Sequence, residues 1–495
     1  PFGSSSSPYL ICTVDQLNEV RNYLSYDYRL MADIDLHRRV SNTNFQPIAG
    51  NFTGTFNGNG YAIKNYFYAT GAVTSGVGLF ERAVGSIIYG LTMENYTIVS
   101  SNEQNQIGAI AGNAINARFY SNHTSGMIRT FLQGNGVNQG VGGHIGNYRL
   151  DDTTSMTFSY LTADTHISES DVSNHTNYGY GAGGIVGLSY VQNASSSLLY
   201  WKVAASFTGV VDSAIPSGNM GGILGYALAT MGGNISVSQS YSSILVTGVS
   251  ENVGGIAGIL WAYNNGTIAL GQAQSFGIIS VTSAYAGGIA GLAKSNVSSS
   301  SLTIIDSVAR ASIFSTNLDT GVDVHLGGLV GSLQGLDSSI ARATISAFYG
   351  TVQAAAGDKV GGISGSAIAG DTDGTGTMQV STNHVDAWVS GTDKVGGAVG
   401  SVDITSGSSG SVTYNYYVSP DFSSDGISGG AGLVGVIDSG LLTMSNNIYL
   451  QGNTTTGAGG GVGILDIQLD PSDASYTLDA SYPIDSSPWK ILQSI

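Results

Sequence analysis

The chain has 495 residues, of which 72 are Gly and only 8 are Pro; charged residues make up 10% and the formal net charge is −17. Without Gly at every third position, and with little Pro, it is no collagen; with 42% hydrophobic residues and 27 Tyr it is not disordered; and it lacks the Ala, Leu, Glu and Lys of a helical bundle. Its 33 acidic against 16 basic residues repel phosphate backbones and anionic lipid, which excludes nucleic acid as a partner, and no apolar run reaches the roughly 18 residues of a membrane span.

The chain opens at Pro1 rather than Met, which is expected of a processed product or a fragment, with any signal peptide or anchor upstream. Cys12 is the only cysteine, so no internal disulfide can form. Thr13-Val-Asp-Gln16 reads as a capping box, and Leu17, Val20 and Leu24 share one helical face, so a short amphipathic helix is expected near 14–24. Next come an alternating strand, Tyr28 to Leu36, and two strand pieces around an Asn-Gly turn in Phe52 to Ile63. Residues 1–70 are thus expected to form an N-terminal cap and the first rungs, the helix covering the open floor of the first rung.

From residue 71 to about 465 one phrase recurs: apolar, x or Gly, Gly, apolar, small or apolar, Gly. Examples are Val253-Gly-Gly-Ile-Ala-Gly258, Ala286-Gly-Gly-Ile-Ala-Gly291 and Leu326-Gly-Gly-Leu-Val-Gly331. Its central residue falls at Leu79, Ile110, His144, Ile185, Ile223, Ile256, Ile289, Leu329, Ile363, Ala398, Leu433 and Val462, a mean spacing near 35. Between these markers lie β-branched, alternating stretches such as Ile235 to Tyr241 and Leu302 to Val308, separated by Ser, Gly and Asn turns. Units of this length that bury little alone, but stack on their neighbours, define a solenoid. The expected fold is all-β: a parallel β-solenoid (β-helix) of about twelve ~35-residue rungs, two or three strands each, with the Gly pair at a bulge or corner. Residues 466–495 lose the pattern and gain Pro471, Pro483, Pro488 and Trp489, as expected of a C-terminal cap or docking tail.

These phrases, with Phe-Thr-Gly-Thr-Phe-Asn-Gly-Asn-Gly at 52–60, Val-Gly-Leu-Phe at 77–80 and the leader Ile-Cys-Thr-Val-Asp-Gln-Leu at 11–17, resemble GLUG-motif repeat proteins over roughly residues 8–465. The resemblance implies a β-solenoid on large secreted or surface proteins of microbes, often adhesin-like. It also implies an accessory place beside certain immunoglobulin-cleaving metalloproteases, and it carries over no catalytic residue. The copies at His144 and Ala398 depart from the pattern.

Chemistry-bearing motifs are sparse. None of the seven His begins His-Glu-x-x-His. Gly426-Ile-Ser-Gly-Gly430 fits a nucleophile elbow only formally, and Gly179 to Gly184 and Gly430 to Gly435 match a dinucleotide fingerprint only as copies of the repeat. His144 reads as a rung-edge His bonded to backbone rather than as a ligand. Asp371 and Asp373, in Gly370-Asp-Thr-Asp-Gly-Thr-Gly376, are a weak Ca²⁺ candidate without the full ligand series, and a solvated turn is the better reading. Asn-x-Ser/Thr sequons stand at Asn51, Asn95, Asn122, Asn174, Asn193, Asn234, Asn265, Asn296 and Asn453, no more than composition gives. Acids in the array fall at inconsistent phases, whereas polysaccharide cleavage needs a carboxylate pair on one face. The sequence therefore points to a secreted or cell-surface, non-enzymatic structural or adhesive solenoid, a rigid stalk, fibre component or adhesin with no cofactor and no catalytic residue. Its partners would be copies of itself, or a host or cell-surface glycan or protein. The alternative is a polysaccharide-binding or polysaccharide-cleaving β-helix.

Overall fold

The computed structural model describes residues 3–450 apart from short segments, and 467–469 beyond. The segments left out are 39–43, 72–75, 102–105, 134–139, 152–154, 174–180, 200–201, 209–217, 250–251, 283–284, 298, 317–322, 356–358, 372–373, 392, 419–426, 429–432, 441 and 446. The expected tail at 466–495 lies outside the described residues except for Ile467–Leu469, a strand that pairs with Ile448–Leu450.

Each full turn carries four strands rather than two or three. In the turn after Asn252 they are Val253–Gly254, Ala257–Tyr263, Thr267–Gly271 and Gln274–Val281. Stacked turn on turn they make four parallel sheets: a glycine sheet of 9 strands, a marker sheet of 12, a short-strand sheet of 14 and a long-strand sheet of 16. The additional strand is the Gly-Gly piece itself, two or three residues long and too short to show a period-two pattern. Eleven of the twelve markers fall in the described residues, and Val462 lies outside them. All eleven are buried, His144 included. The marker occupies the corner between the glycine and marker strands, as the broken parity of the phrase requires.

The glycines of the phrase let two backbones meet there. A Cβ on Gly254 would collide with the Ala257 carbonyl, and one on Gly258 would enter the backbone of Asn219 and Met220 in the previous turn. Gly287 and Gly291 repeat this against Ala290 and Val253. Side chains would force the two sheets apart, so the Gly spacing specifies the contact.

Inside the turn, period-two alternation becomes ladders. In the long-strand sheet Ile98 pairs with Ile128 and Ile128 with Ile167; further up, Val246, Ile279, Ile313, Val352 and Val389 follow one above another. The short-strand sheet stacks Phe158, Leu198, Val237, Leu270, Ile304, Ala343, Val380 and Val412. These residues are buried, and a fully buried Ile, Leu or Val side chain contributes roughly 1.5–3 kcal/mol. Tyr96 lies over Gly126, whose missing Cβ makes room for the ring, and its hydroxyl hydrogen-bonds Thr165 Oγ1 at 2.8 Å.

The corner between short and long strands is polar and self-satisfied. Asn415 Nδ2 donates to the Val380 carbonyl (3.1 Å) and to Asn447 Oδ1 (3.0 Å), while its Oδ1 accepts from Asn383 N (3.1 Å) and Asn383 Nδ2 (3.0 Å). Asn383 Oδ1 takes the Ser346 amide and Ser346 Oγ takes the Ser307 amide, so the ladder runs through two residue types, Asn and Ser. Buried amides that would otherwise lack partners are thereby paired.

At the N-terminal end the capping box forms: Gln16 N donates to Thr13 Oγ1 (3.2 Å), and Gln16 Oε1 accepts from Thr13 N (3.2 Å) and Cys12 N (2.6 Å). The helix is shorter than expected, Val14–Glu19 followed by one 3₁₀ turn, Val20–Asn22. Leu17 and Val20 are fully buried and Leu24 packs on the core. Tyr28 to Leu36 is not one strand: Tyr28–Leu30 joins the short-strand sheet, Ile34–Asp35 the long-strand sheet, and Leu36–Arg38 is a 3₁₀ turn. Asn59 and Gly60 both have positive φ, 53° and 78°, as an Asn-Gly turn requires. The strands either side, Thr55–Asn57 and Ala62–Lys64, belong to different sheets, so the turn is a solenoid corner and not a hairpin.

Candidate functional site

Alternation has a second consequence in the marker sheet. Leu260 and Ala262 point into the core, so Ile259, Trp261 and Tyr263 point the other way. Register then stacks Leu188, Tyr226, Ile259 and Leu292 in one outer column, and Arg149, Tyr190, Leu228, Trp261, Lys294 and Gln334 in the next. The first column forms an apolar cluster separate from the core, with Leu228, Trp261 and Tyr285 packed against it. Above Leu292 the same column turns polar at Ser332, Ser366 and Ser401.

A cavity of about 300 Å³ opens on this face, lined by Tyr226, Ile259, Trp261, Tyr285, Leu292, Lys294 and Gln334. Trp261 meets Tyr226 edge to face at 6.4 Å and Tyr263 at 5.6 Å between ring centroids. Lys294 Nζ sits 5.3 Å from the Trp261 ring centroid, a cation–π contact. Burial pulls the Lys294 ammonium below its ordinary pKa, opposed by the fields of Asp371 and Asp337. Burial pushes the Tyr226 phenol up, so it stays protonated. The Trp261 indole N–H is buried and has no acceptor among the described residues. Among the described residues no carboxylate lines the cavity.

A second aromatic and basic stripe lies on the long-strand sheet, where Arg310 stands between Phe276 (5.7 Å) and Tyr349 (5.2 Å), and His384 stacks on Tyr416 at 5.1 Å. Burial lowers His384 to about 4, which keeps it neutral near pH 7.

The residues singled out in the sequence lie elsewhere. Asp371 Oδ1 accepts from Gly374 N at 2.9 Å, closing its own turn, and Asp373 is outside the described residues. The carboxyl that approaches this turn is that of Asp337, which a Cβ on Gly374 would strike. Among the described residues no cluster of three His, Cys, Asp or Glu could hold a metal ion. His144 hydrogen-bonds Thr124 Oγ1 (3.1 Å) through Nδ1 and the Asn122 carbonyl (3.3 Å) through Nε2; burial lowers its pKa to about 3. Ser428 of the formal nucleophile elbow lies in a two-residue strand paired to Ser390. Of the sequons, Asn51, Asn95, Asn193 and Asn265 are exposed, whereas Asn122 is buried with its Nδ2 on the Ile88 carbonyl; Asn174 and Asn453 lie outside the described residues. Cys12 is an exposed free thiol. No helix among the described residues is long and apolar enough to cross a membrane.

No protein-family model matches the chain, so the GLUG resemblance rests on the quoted phrases alone. Among curated proteins, 122 residues are 34% identical to a protein provisionally named a Gly-rich membrane protein from Evansella cellulosilytica, covering 22% of this chain and 14% of that one. Another 207 residues are 30% identical to halomucin of Haloquadratum walsbyi, 39% of this chain and 2% of that protein. The chain thus spans a small fraction of the length of the relatives it matches. Among solved structures, a Bacteroides ovatus chain provisionally assigned as an immunoglobulin A1 protease aligns with TM-score 0.41 at 20% identity, over 57% of this chain and 78% of that one. An IgA1 protease aligns with TM-score 0.37 at 18% identity, over 58% and 21%.

Proposed function

We propose that the chain is an extracellular or surface-exposed, non-enzymatic β-solenoid that works as a rigid stalk, fibre component or adhesin. The observation that carries this reading is the register of the four sheets, which runs turn on turn from Ile107–Gly108 to Val395–Gly396 in the glycine sheet and further in the other three. A stack in which every strand pairs above and below resists bending and holds whatever it bears at a fixed distance. The membrane-protein name of the Evansella relative supports a surface setting. Polysaccharide recognition is the second reading, favoured by the aromatic cavity on the marker sheet. Cleavage is disfavoured because no carboxylate stands in that lining among the described residues.

The test is sedimentation of the purified chain over a wide concentration range, together with binding to microbial and host cells and to a glycan array. The reading expects assembly with copies of itself, or capture by cells or glycans, without release of new reducing ends. A monomer that binds none of these, or one that cleaves a glycan, contradicts it.

A further inference from the structure

We propose that the cavity on the outer face of the marker sheet is a binding site for an acidic saccharide, one sugar ring bearing a carboxylate, held over Trp261 with its charge toward Lys294. This deepens the adhesive part of the reading above by naming the ligand class.

Four observations converge. The cavity, about 300 Å³, lies at the lower end of the usual range for small-molecule sites, which suits a terminal ring or two rather than a long chain. Its walls combine flat apolar surface from Trp261, Tyr226 and Tyr285 with polar groups at the edge, the composition a pyranose ring presents in complement: apolar C–H faces and a hydroxyl rim. The donors outnumber the acceptors. Lys294 carries an ammonium that reaches no carboxylate in an ion pair among the described residues, and the Trp261 indole N–H is buried without an acceptor. A buried donor left unpaired is costly, so a ligand oxygen placed there makes the bond that folding leaves unmade. Finally, the charge selects. On a chain with a net charge of −17, Lys294 is the one cation in a lining that holds no acid among the described residues; Asp371 and Asp337 act on it only from outside that lining, so the cavity favours a carboxylate where most of the surface would repel one.

Apolar peptides would use the aromatic walls but not the two donors, and a free carboxylic acid would use the donors but not the walls. The saccharide uses both.

The test uses the intact chain and two disaccharides of the same linkage, one ending in a uronic acid and one in the neutral hexose, titrated by calorimetry. The uronic-ended disaccharide should bind at least tenfold tighter than the neutral one. Lys294→Gln should abolish that preference while leaving the neutral affinity within about twofold. Trp261→Ala should weaken both by more than tenfold, and Trp261→Phe should keep part of the affinity, which separates loss of the platform from loss of fold. Arg310→Gln, on the other aromatic stripe, should change nothing. Equal affinity for the two sugars, no binding of either, or an unaltered preference in Lys294→Gln overturns the proposal. None of these outcomes touches the rod, whose self-assembly and cell binding are read separately.

Discussion

Asn415 offers the sharpest test of how the rungs are joined. Its side chain is buried and makes four hydrogen bonds, two as donor and two as acceptor. Asn415→Ala strands the Asn383 amide, whose bond at 3.1 Å runs to Asn415 Oδ1, and it removes a donor from both the Val380 carbonyl and Asn447 Oδ1. Asn383 Nδ2 keeps the Ala343 carbonyl, and Asn447 Oδ1 keeps the Asn415 amide, so only part of the network is orphaned. One unpaired buried amide costs about 1–3 kcal/mol, and the lost neutral bonds add about 1 kcal/mol, for a total of about 3 kcal/mol. Since each rung contacts only its neighbours, the loss should be local. Hydrogen exchange should show protection falling about 100-fold in Thr377–Ser381 and Ser409–Thr413, at 1.4 kcal/mol per tenfold, and unchanged in Thr267–Gly271. Asn415→Ser should lose roughly half as much, because a hydroxyl at this position can accept the amide below, as Ser346 Oγ does for Ser307 N. Protection unchanged within threefold, or lost evenly along the rod, would refute the reasoning.

Acid should weaken the fold through His144. Its folded pKa, about 3, lies below the unfolded value of roughly 6.5, so the unfolded chain takes the proton first. The contribution is complete above pH 6.5 and declines by about 1.4 kcal/mol per unit as pH falls toward 3. His144→Leu, matching the apolar markers above and below, should cut the pH dependence of the urea midpoint between pH 6 and 4 by about one proton. An unaltered slope contradicts the burial. Gly254→Ala should destabilise by more than about 3 kcal/mol or prevent folding, since the added methyl meets the Ala257 backbone; Gly271→Ala, where the methyl only touches Ile305, should lie within about 1 kcal/mol of the parent. Equal melting temperatures for the two variants would contradict the close approach of the sheets.

Much of this was legible because the solenoid writes its geometry into the period. The marker column is visible at Ile256, Ile289 and Leu329, and the structure buries each of them at the same corner. The capping box at Thr13 and Gln16 is a local signal, and it forms locally. Sheet membership is what the sequence does not show. Tyr28 to Leu36 alternates throughout, yet a corner divides it between two sheets, because each wall of the turn imposes the same period. The glycine strands carry no signal of their own, since two or three residues show no alternation. The candidate site was hidden for a related reason. Tyr226, Leu228, Ile259 and Trp261 sit among apolar residues of the opposite parity, so the marker strands read simply as core. Apolar residues on both parities of a seven-residue strand mark a strand covered on both faces or one that exposes an apolar column. Here the second parity makes the groove. Asp371 stands out in the sequence through its Gly-rich loop, whereas the approach of Asp337 to Gly374 is a contact 37 residues apart, which spacing alone does not reveal.

The central claim, that one ~35-residue unit is one rung of a continuous rod, is tested most directly by adding rungs. Duplicating residues 256–288, the span from one marker to the residue before the next, should lengthen the particle by about 4.8 Å per copy in small-angle scattering. Three copies should add about 14 Å, with the cross-sectional radius of gyration unchanged. A cross-section that grows with each copy, or a length that does not, would contradict the solenoid.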